Sequence, residues 1–302
     1  VLHIGIASSW KAAEITRVLQ EIQKNKTIVY CVSDKGNNIM GAIKEMGWKH
    51  VYDCSHHWAK GMEKLYEPSE DFKSLMGNIG MLRKKWILSQ SSHLMPPSLR
   101  SKARFQNIFP IIDWLEKIEQ HWKEIPMEAR KAMNFIQTNR SLIRELKLLQ
   151  GTIKQMGALL KVKGMNKQTL EACKVMLSVC KNGRPLEFKK RLLQDWEVYE
   201  SESDSHRIGD KQTLVISSDI IESYFGKYKQ KIKQNGMQCI TESVLTMGAW
   251  SQNITATEVK IALSKISMKE IYRWKKENTT DSLLKKRRKF FNKKCTKKYI
   301  IV

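Results

Sequence analysis

The order of residue patterns in residues 1–53 constrains the fold more than any other part of the chain. Val1–Ala7 is short, apolar and bounded by Ser8 and Ser9, as a buried strand would be. Lys11–Gln23 then carries Ile15, Val18, Leu19 and Ile22 at helical spacing. Thr27–Val32 is a second β-rich run, ending at Ser33-Asp34-Lys35-Gly36. Asn38–Met46 reads as a short helix, and Trp48–Tyr52 as a third strand ending at Asp53. Strands alternating with helices predict βαβ units and a largely parallel sheet edge, so the fold class is α/β.

From about His56 to Ser205 the apolar spacing is helical, punctuated at Pro96-Pro97, Pro110, Pro126, Gly164 and Gly183-Arg184-Pro185. Glu200–Ser205 is acidic and serine-rich and reads as a solvated linker. Leu214–Ile216 is a very short apolar run, Asp219–Lys233 a helix, and further helix is expected from about Thr241 to Asn278. The expected division is 1–55, 56–205, 206–250 and 251–302.

Charge narrows the partners. Lys and Arg number 54 against 30 Asp and Glu, a formal net charge of +24. A compact body with that excess repels itself unless a polyanion relieves it, and nucleic acid is the default polyanion. An anionic membrane is the weaker reading, because no strongly amphipathic basic helix stands alone and no apolar stretch is long enough to span a bilayer. Half of the excess lies in Lys260–Val302, where 15 Lys and Arg face 3 Asp and Glu. Lys285, Lys286, Arg287, Arg288 and Lys289 form its densest part. Such a run is expected to be disordered when free, serving either as a phosphate-binding segment or as a solubilising tail. The six cysteines are scattered with no C-x-x-C pair, which reads as a reduced, intracellular, cytoplasmic chain.

Three places could carry chemistry. Asp34 follows an apolar strand and opens a Gly-containing turn; a carboxylate at a strand's carboxyl end is well placed to hold a metal, and Asp-Lys-Gly is also good turn chemistry. Glu222 follows Asp219 by three residues, as a helix-capping acid would. Lys229 and Lys233 fall on the same helical face as Glu222, which sets a carboxylate beside phosphate-gripping ammonium groups. Asp53, Cys54, His56 and His57 cluster past another strand end; a matching second ligand pair for zinc is missing, so a histidine near a scissile phosphate or a structural histidine is the better reading. Trp86, Trp114, Trp122 and Trp196 sit in helical stretches and are expected in the core rather than stacked on bases.

Taken together, these segments resemble the bacterial insertion-sequence DDE transposases of the ribonuclease H-like superfamily. TIVYCVSDKGNNIMGAIKE, Thr27–Glu45, resembles the stretch around the family's second catalytic aspartate, which falls on Asp34. WKHVYDCSHHWAKGMEKLY resembles the next strand with its Asp-x-x-His element, matched by Asp53 and His56 or His57. SSDIIESYFGKYK resembles the helix bearing the catalytic glutamate, Glu222. Of the Tyr-Arg-Glu-Lys signature found in some members, Glu222 and Lys229 match, whereas Val215 and Ser218 stand at the Tyr and Arg positions.

The resemblance implies a ribonuclease H-like mixed sheet, with the long helical span as an insertion between the second and third carboxylates and a helical, basic C-terminal region. It implies Mg²⁺ or Mn²⁺ held by Asp34 and Glu222, phosphodiester cleavage and strand transfer at transposon ends, oligomers assembled on DNA, and a place at the bacterial nucleoid. Before Asp34 the acidic residues are Glu14 and Glu21, both on the first helix. The family's first aspartate is therefore expected upstream of Val1, and this piece is expected to be catalytically impaired. Two rival readings are a non-catalytic DNA-binding relic, with a helix-turn-helix pair around Ser267, and a ribonuclease H-like nuclease that cleaves without strand joining.

Overall fold

A computed structural model of the chain describes residues 3, 9–98, 104–201, 213–232, 244, 246–250, 254–278, 281 and 283–294. The run Val1–Ala7 (but for His3), Lys233 and most of Glu200–Ser205 lie outside the described residues. In chain order the elements are α1 (Ala12–Gln23), β1 (Tyr30–Ser33), α2 (Asn37–Glu45), β2 (Lys49–Tyr52), α3 (Cys54–Tyr66), α4 (Glu70–Trp86), α5 (Phe109–Gln120), α6 (Met127–Ala132), α7 (Asn134–Thr138) and α8 (Arg140–Lys163). They continue with α9 (Lys167–Met176), α10 (Gly183–Ser201), α11 (Asp219–Ile232), α12 (Thr246–Ala249), α13 (Ala256–Lys265), α14 (Met268–Asn278) and α15 (Leu283–Lys294). The described residues are mostly helical, with one two-stranded parallel sheet. None of the described helices is long and apolar enough to cross a membrane.

The chain divides into two compact units: Val29–Gly36 with Lys49–Ser217, and Val1–Ile28 with Asn37–Trp48 and Ser218–Val302. In the first of these, Tyr30, Cys31, Val32 and Ser33 pair with Lys49, His50, Val51 and Tyr52 respectively. A parallel pair needs a crossover between its strands, and α2 occupies that stretch of sequence. The helices from α3 to α10 share one core with the sheet. In α4, Phe72, Leu75, Ile79, Leu82 and Trp86 recur at alternating three- and four-residue steps and are all buried. In α8, Leu142, Leu146, Leu149, Ile153, Met156 and Leu160 do the same. Trp86 and Trp196 are buried in this core and Trp114 and Trp122 pack against it, as expected. Gly157 gives α8 close access to α3, since a Cβ there would stand 3.5 Å from the Trp58 ring.

Residues 213–217 close this unit. Leu214 exchanges two backbone hydrogen bonds with Met165, at 2.8 and 2.9 Å. The Tyr30 hydroxyl accepts from the Val215 N–H at 2.8 Å, and the Ile216 carbonyl accepts from the Cys54 N–H at 2.9 Å. Gly164 makes this approach possible: its φ is +69°, and a Cβ there would lie 2.4 Å from Thr213 Cγ2 and 2.9 Å from the Leu214 carbonyl oxygen. Four helices are joined by Arg184 at the start of α10. Its guanidinium donates to Asp71 at 2.6 and 3.0 Å, to Glu145 at 2.9 Å and to Ser69 Oγ at 2.9 Å, and lies over the Tyr66 ring.

In the other unit α1 packs on α2. A Cβ on Gly41 would meet Ala12 Cβ at 3.1 Å, and the Thr16 hydroxyl donates to Glu45 at 2.8 Å. Tyr224 and Tyr228 of α11 cluster with Val244, Met247 and Trp250. α13 and α14 each begin with a reciprocal cap, Thr255 with Glu258 and Ser267 with Glu270. The densest basic run corrects an expectation: Leu283–Lys294 is helical rather than disordered. Asp281, just ahead of the helix, pairs with Lys285 at 2.9 Å and Lys289 at 2.5 Å, one and two turns on. A carboxylate at that end opposes the like-charge repulsion of the run and suits the helix dipole.

Candidate functional site

Asp34 and the Asp53-x-x-His56 element stand at the carboxyl ends of the two paired strands. Asp34 follows β1 directly and is exposed, in a turn that leads into α2. Gly36 keeps that turn tight: a Cβ there would meet Asp34 Oδ1 at 3.3 Å. Asp53 follows β2 and is fully buried. Its N–H donates to the Ser33 carbonyl at 3.0 Å, and its carboxylate caps α3 by accepting from the His56 N–H at 3.0 Å. Register thus sends one strand-end aspartate outward and the other inward.

Asp34 borders a cleft of about 460 Å³ in the sheet-bearing unit. Lys35, Tyr52, His56, His57, Lys60, Lys64, Arg191 and Asp195 line the rest of it, over Phe188 and Leu192. The cleft exists because α3 and α10 pack closely where Gly61 faces Phe188; a Cβ on Gly61 would lie 3.0 Å from that ring. His57 Nε2 donates to Asp195 Oδ2 at 2.7 Å. Burial pushes the His57 ring below the ordinary histidine value of 6.5, against the opposing pull of Asp195. The neutral ring, with its Nε2 proton on Asp195, is therefore the form held at neutral pH. Tyr52 lies between two cleft residues, the His57 ring at 4.9 Å and Lys35 Nζ at 4.6 Å from its centroid. Ser33 Oγ lies 2.9 Å from His50 Nε2, and burial also lowers the His50 pKa.

The cleft brings together Asp34, His56 and His57 from the sequence-derived candidates. Asp53 is turned inward as a cap. Cys54 is buried, and near it burial pushes the Cys173 thiol up to about 12, the state of an inert packed thiol. Glu222, Lys229, Lys285, Lys286, Arg287, Arg288 and Lys289 are exposed on helices of the other unit. Glu222 sits in the first turn of α11, where its N–H donates to the Ser218 carbonyl at 3.1 Å, and Lys229 lies about two turns further along. Lys233 lies outside the described residues. Among the described residues no three His, Cys, Asp or Glu side chains converge to hold a metal ion.

Asp195, Arg191, Lys64 and Lys35 escaped the sequence reading. The His57–Asp195 pair bridges 138 residues, so no local spacing announces it. The signal that was present is the repeat of charge at four-residue steps, Lys60 with Lys64 and Arg191 with Asp195, each marking one polar helix face. The chain matches no family model and no curated protein sequence.

Proposed function

We propose that this chain is the catalytic part of a ribonuclease H-like DNA transposase of the DDE type, acting at the bacterial nucleoid on transposon ends and target DNA, as an oligomer on that DNA. The observation that carries the reading is the placement of Asp34. It is an exposed carboxylate at the carboxyl end of one of two parallel strands, bordering a cleft lined by Lys35, Lys60, Lys64 and Arg191. Ligands of open α/β sheets bind at such strand ends. Further support comes from Ile216, six residues before Glu222, which is hydrogen-bonded to Cys54 just after β2.

The donors suit a hard divalent cation: the Asp34 and Glu222 carboxylates are exposed oxygen ligands of the kind Mg²⁺ and Mn²⁺ take. When bound, such ions stabilise charge during an in-line displacement at phosphorus. The chain's own residues then bind and orient. Lys229 and the cleft cations hold backbone phosphates, Asp53 fixes the start of α3, and Asp195 fixes the His57 ring. The α15 cations add attraction that is indifferent to sequence.

Iron-directed backbone cleavage tests the metal assignment without relying on turnover. Fe²⁺ with a reductant should cut the chain near residues 34 and 222, and Asp34→Asn with Glu222→Gln should abolish both cuts. Metal-dependent nicking of plasmid DNA should be lost in the same variants. A cutting pattern indifferent to both substitutions overturns the assignment. A second reading, a DNA-binding protein without catalysis, draws on the exposed and doubly capped α13–α14 pair; it predicts that Asp34→Ala and Glu222→Ala change no activity.

A further inference from the structure

We infer that the cleft between α3 and α10 is a metal-independent site for the phosphodiester backbone of a single DNA strand, gripped by Lys35, Lys64 and Arg191. The inference rests on the reading of the chain as a DNA-handling protein and adds where a strand lies and what holds it. Its three cations come from three separate segments: the turn after β1, the exposed face of α3 and the exposed face of α10. The fourth cation of the cleft, Lys60, is already paired with Glu63 at 3.0 Å. Of the two cleft carboxylates, Asp195 is occupied by His57 and Asp34 lies at the strand-end border. What the cleft offers a ligand is therefore ammonium and guanidinium hydrogen-bond donors above an apolar floor of Phe188 and Leu192.

The occupant is a backbone rather than a base. An aromatic platform for a base needs a free ring face. Tyr52, the aromatic ring beside the cations, has His57 and Lys35 packed against it. Phe188 is 2% exposed, so it offers a surface for sugar carbons and no slot for a base. Arg191 can engage two phosphate oxygens at once, and the lysines act as point charges along the strand. The His57–Asp195 bond ties the two helices across the cleft and keeps its width fixed.

The test uses the whole chain and short fluorescein-labelled single strands, with EDTA present throughout. Lysine acetylation read by mass spectrometry should show Lys35 and Lys64 protected by the strand in the unaltered protein. Lys64→Glu with Arg191→Glu should weaken binding about tenfold or more. Lys131→Glu with Lys174→Glu, which makes the same change in net charge outside the cleft, should change it by no more than about twofold. Lys64→Gln with Arg191→Gln is the milder pair, and thermal melts confirm that each variant folds. Oligo-dT and oligo-dA should bind within about threefold of each other, because backbone contacts carry no base information. Equal weakening by the two reversal pairs, or unchanged acetylation of Lys35 and Lys64, overturns the proposal. So does displacement of the strand by millimolar inorganic phosphate at constant ionic strength, which would reveal a simple anion site. If this footprint holds while the iron and nicking tests fail, the chain binds strands without cutting them; in the converse case the strand lies elsewhere.

Discussion

Asp34 and Asp53 occupy equivalent strand ends, yet one is exposed and the other has no exposed surface. Both positions were legible as strand ends; which carboxylate would face the solvent was not, because that depends on the Asp53 N–H bonding Ser33 across the register. Asp53→Ala should cost about 1–2 kcal/mol by removing a helix cap, whereas Asp53→Asn should stay within about 0.5 kcal/mol in urea unfolding, since Asn caps equally well. A loss of DNA processing in a fully stable Asp53→Asn would instead mark that carboxylate as chemical. Gly164 was legible as punctuation only. Its positive φ and the 2.4 Å approach to Thr213 make Gly164→Ala cost at least about 2 kcal/mol, measurable as a lower urea midpoint. His50 and His57 both titrate below the ordinary value of 6.5. As pH falls below that value the unfolded chain takes up protons that the folded chain refuses. Stability contributed by these rings is therefore complete above it and declines as pH drops through their folded values. Urea midpoints between about pH 7.5 and 5 should fall, and His50→Gln with His57→Gln should flatten that fall; an unchanged slope would dismiss both rings as its source.

Helices from His56 onward were readable because apolar residues recur every three or four positions, most plainly in α4 and α8. Which helices would meet was not readable, because charges such as Arg184 choose partners far along the chain. Asp71 lies 113 residues from Arg184, and its carboxyl is held far below the usual range, chiefly by the hydrogen bonds from Arg184. Arg184→Met should lower unfolding free energy by roughly 2 kcal/mol, because Asp71 and Glu145 lose their partner at a half-buried site. Arg184→Lys should recover little of it, since an ammonium cannot serve Asp71, Glu145 and Ser69 together. Full recovery by lysine would reduce the junction to simple charge. The helicity of α15 escaped the sequence reading for a related reason. Its charge density argues for repulsion, and the single acid that offsets it, Asp281, lies ahead of the run.

On the scale of the whole molecule, the net charge of +24 was the firmest guide to partners and is silent about chemistry. If the α15 cations contact phosphates, replacing Lys285, Lys286, Arg287, Arg288 and Lys289 by Gln should make the log–log salt dependence of duplex binding shallower by up to about 4, at roughly 0.9 per lost contact. Titrations at several salt concentrations measure this, and an unchanged slope would leave α15 as a solubilising element. The closure of the sheet-bearing unit also sets a timetable. Tyr30 bonds to Val215 across 185 residues of chain. Ribosomes extend a chain at about 5–20 residues per second, so the partner of that hydroxyl emerges about ten to forty seconds after the strand that carries it. During synthesis the β1–β2 edge stands uncovered throughout that interval. A growing chain with an exposed strand edge is vulnerable to pairing with its neighbours on the same messenger, so the slow step in making this protein is the arrival of its own closing segment.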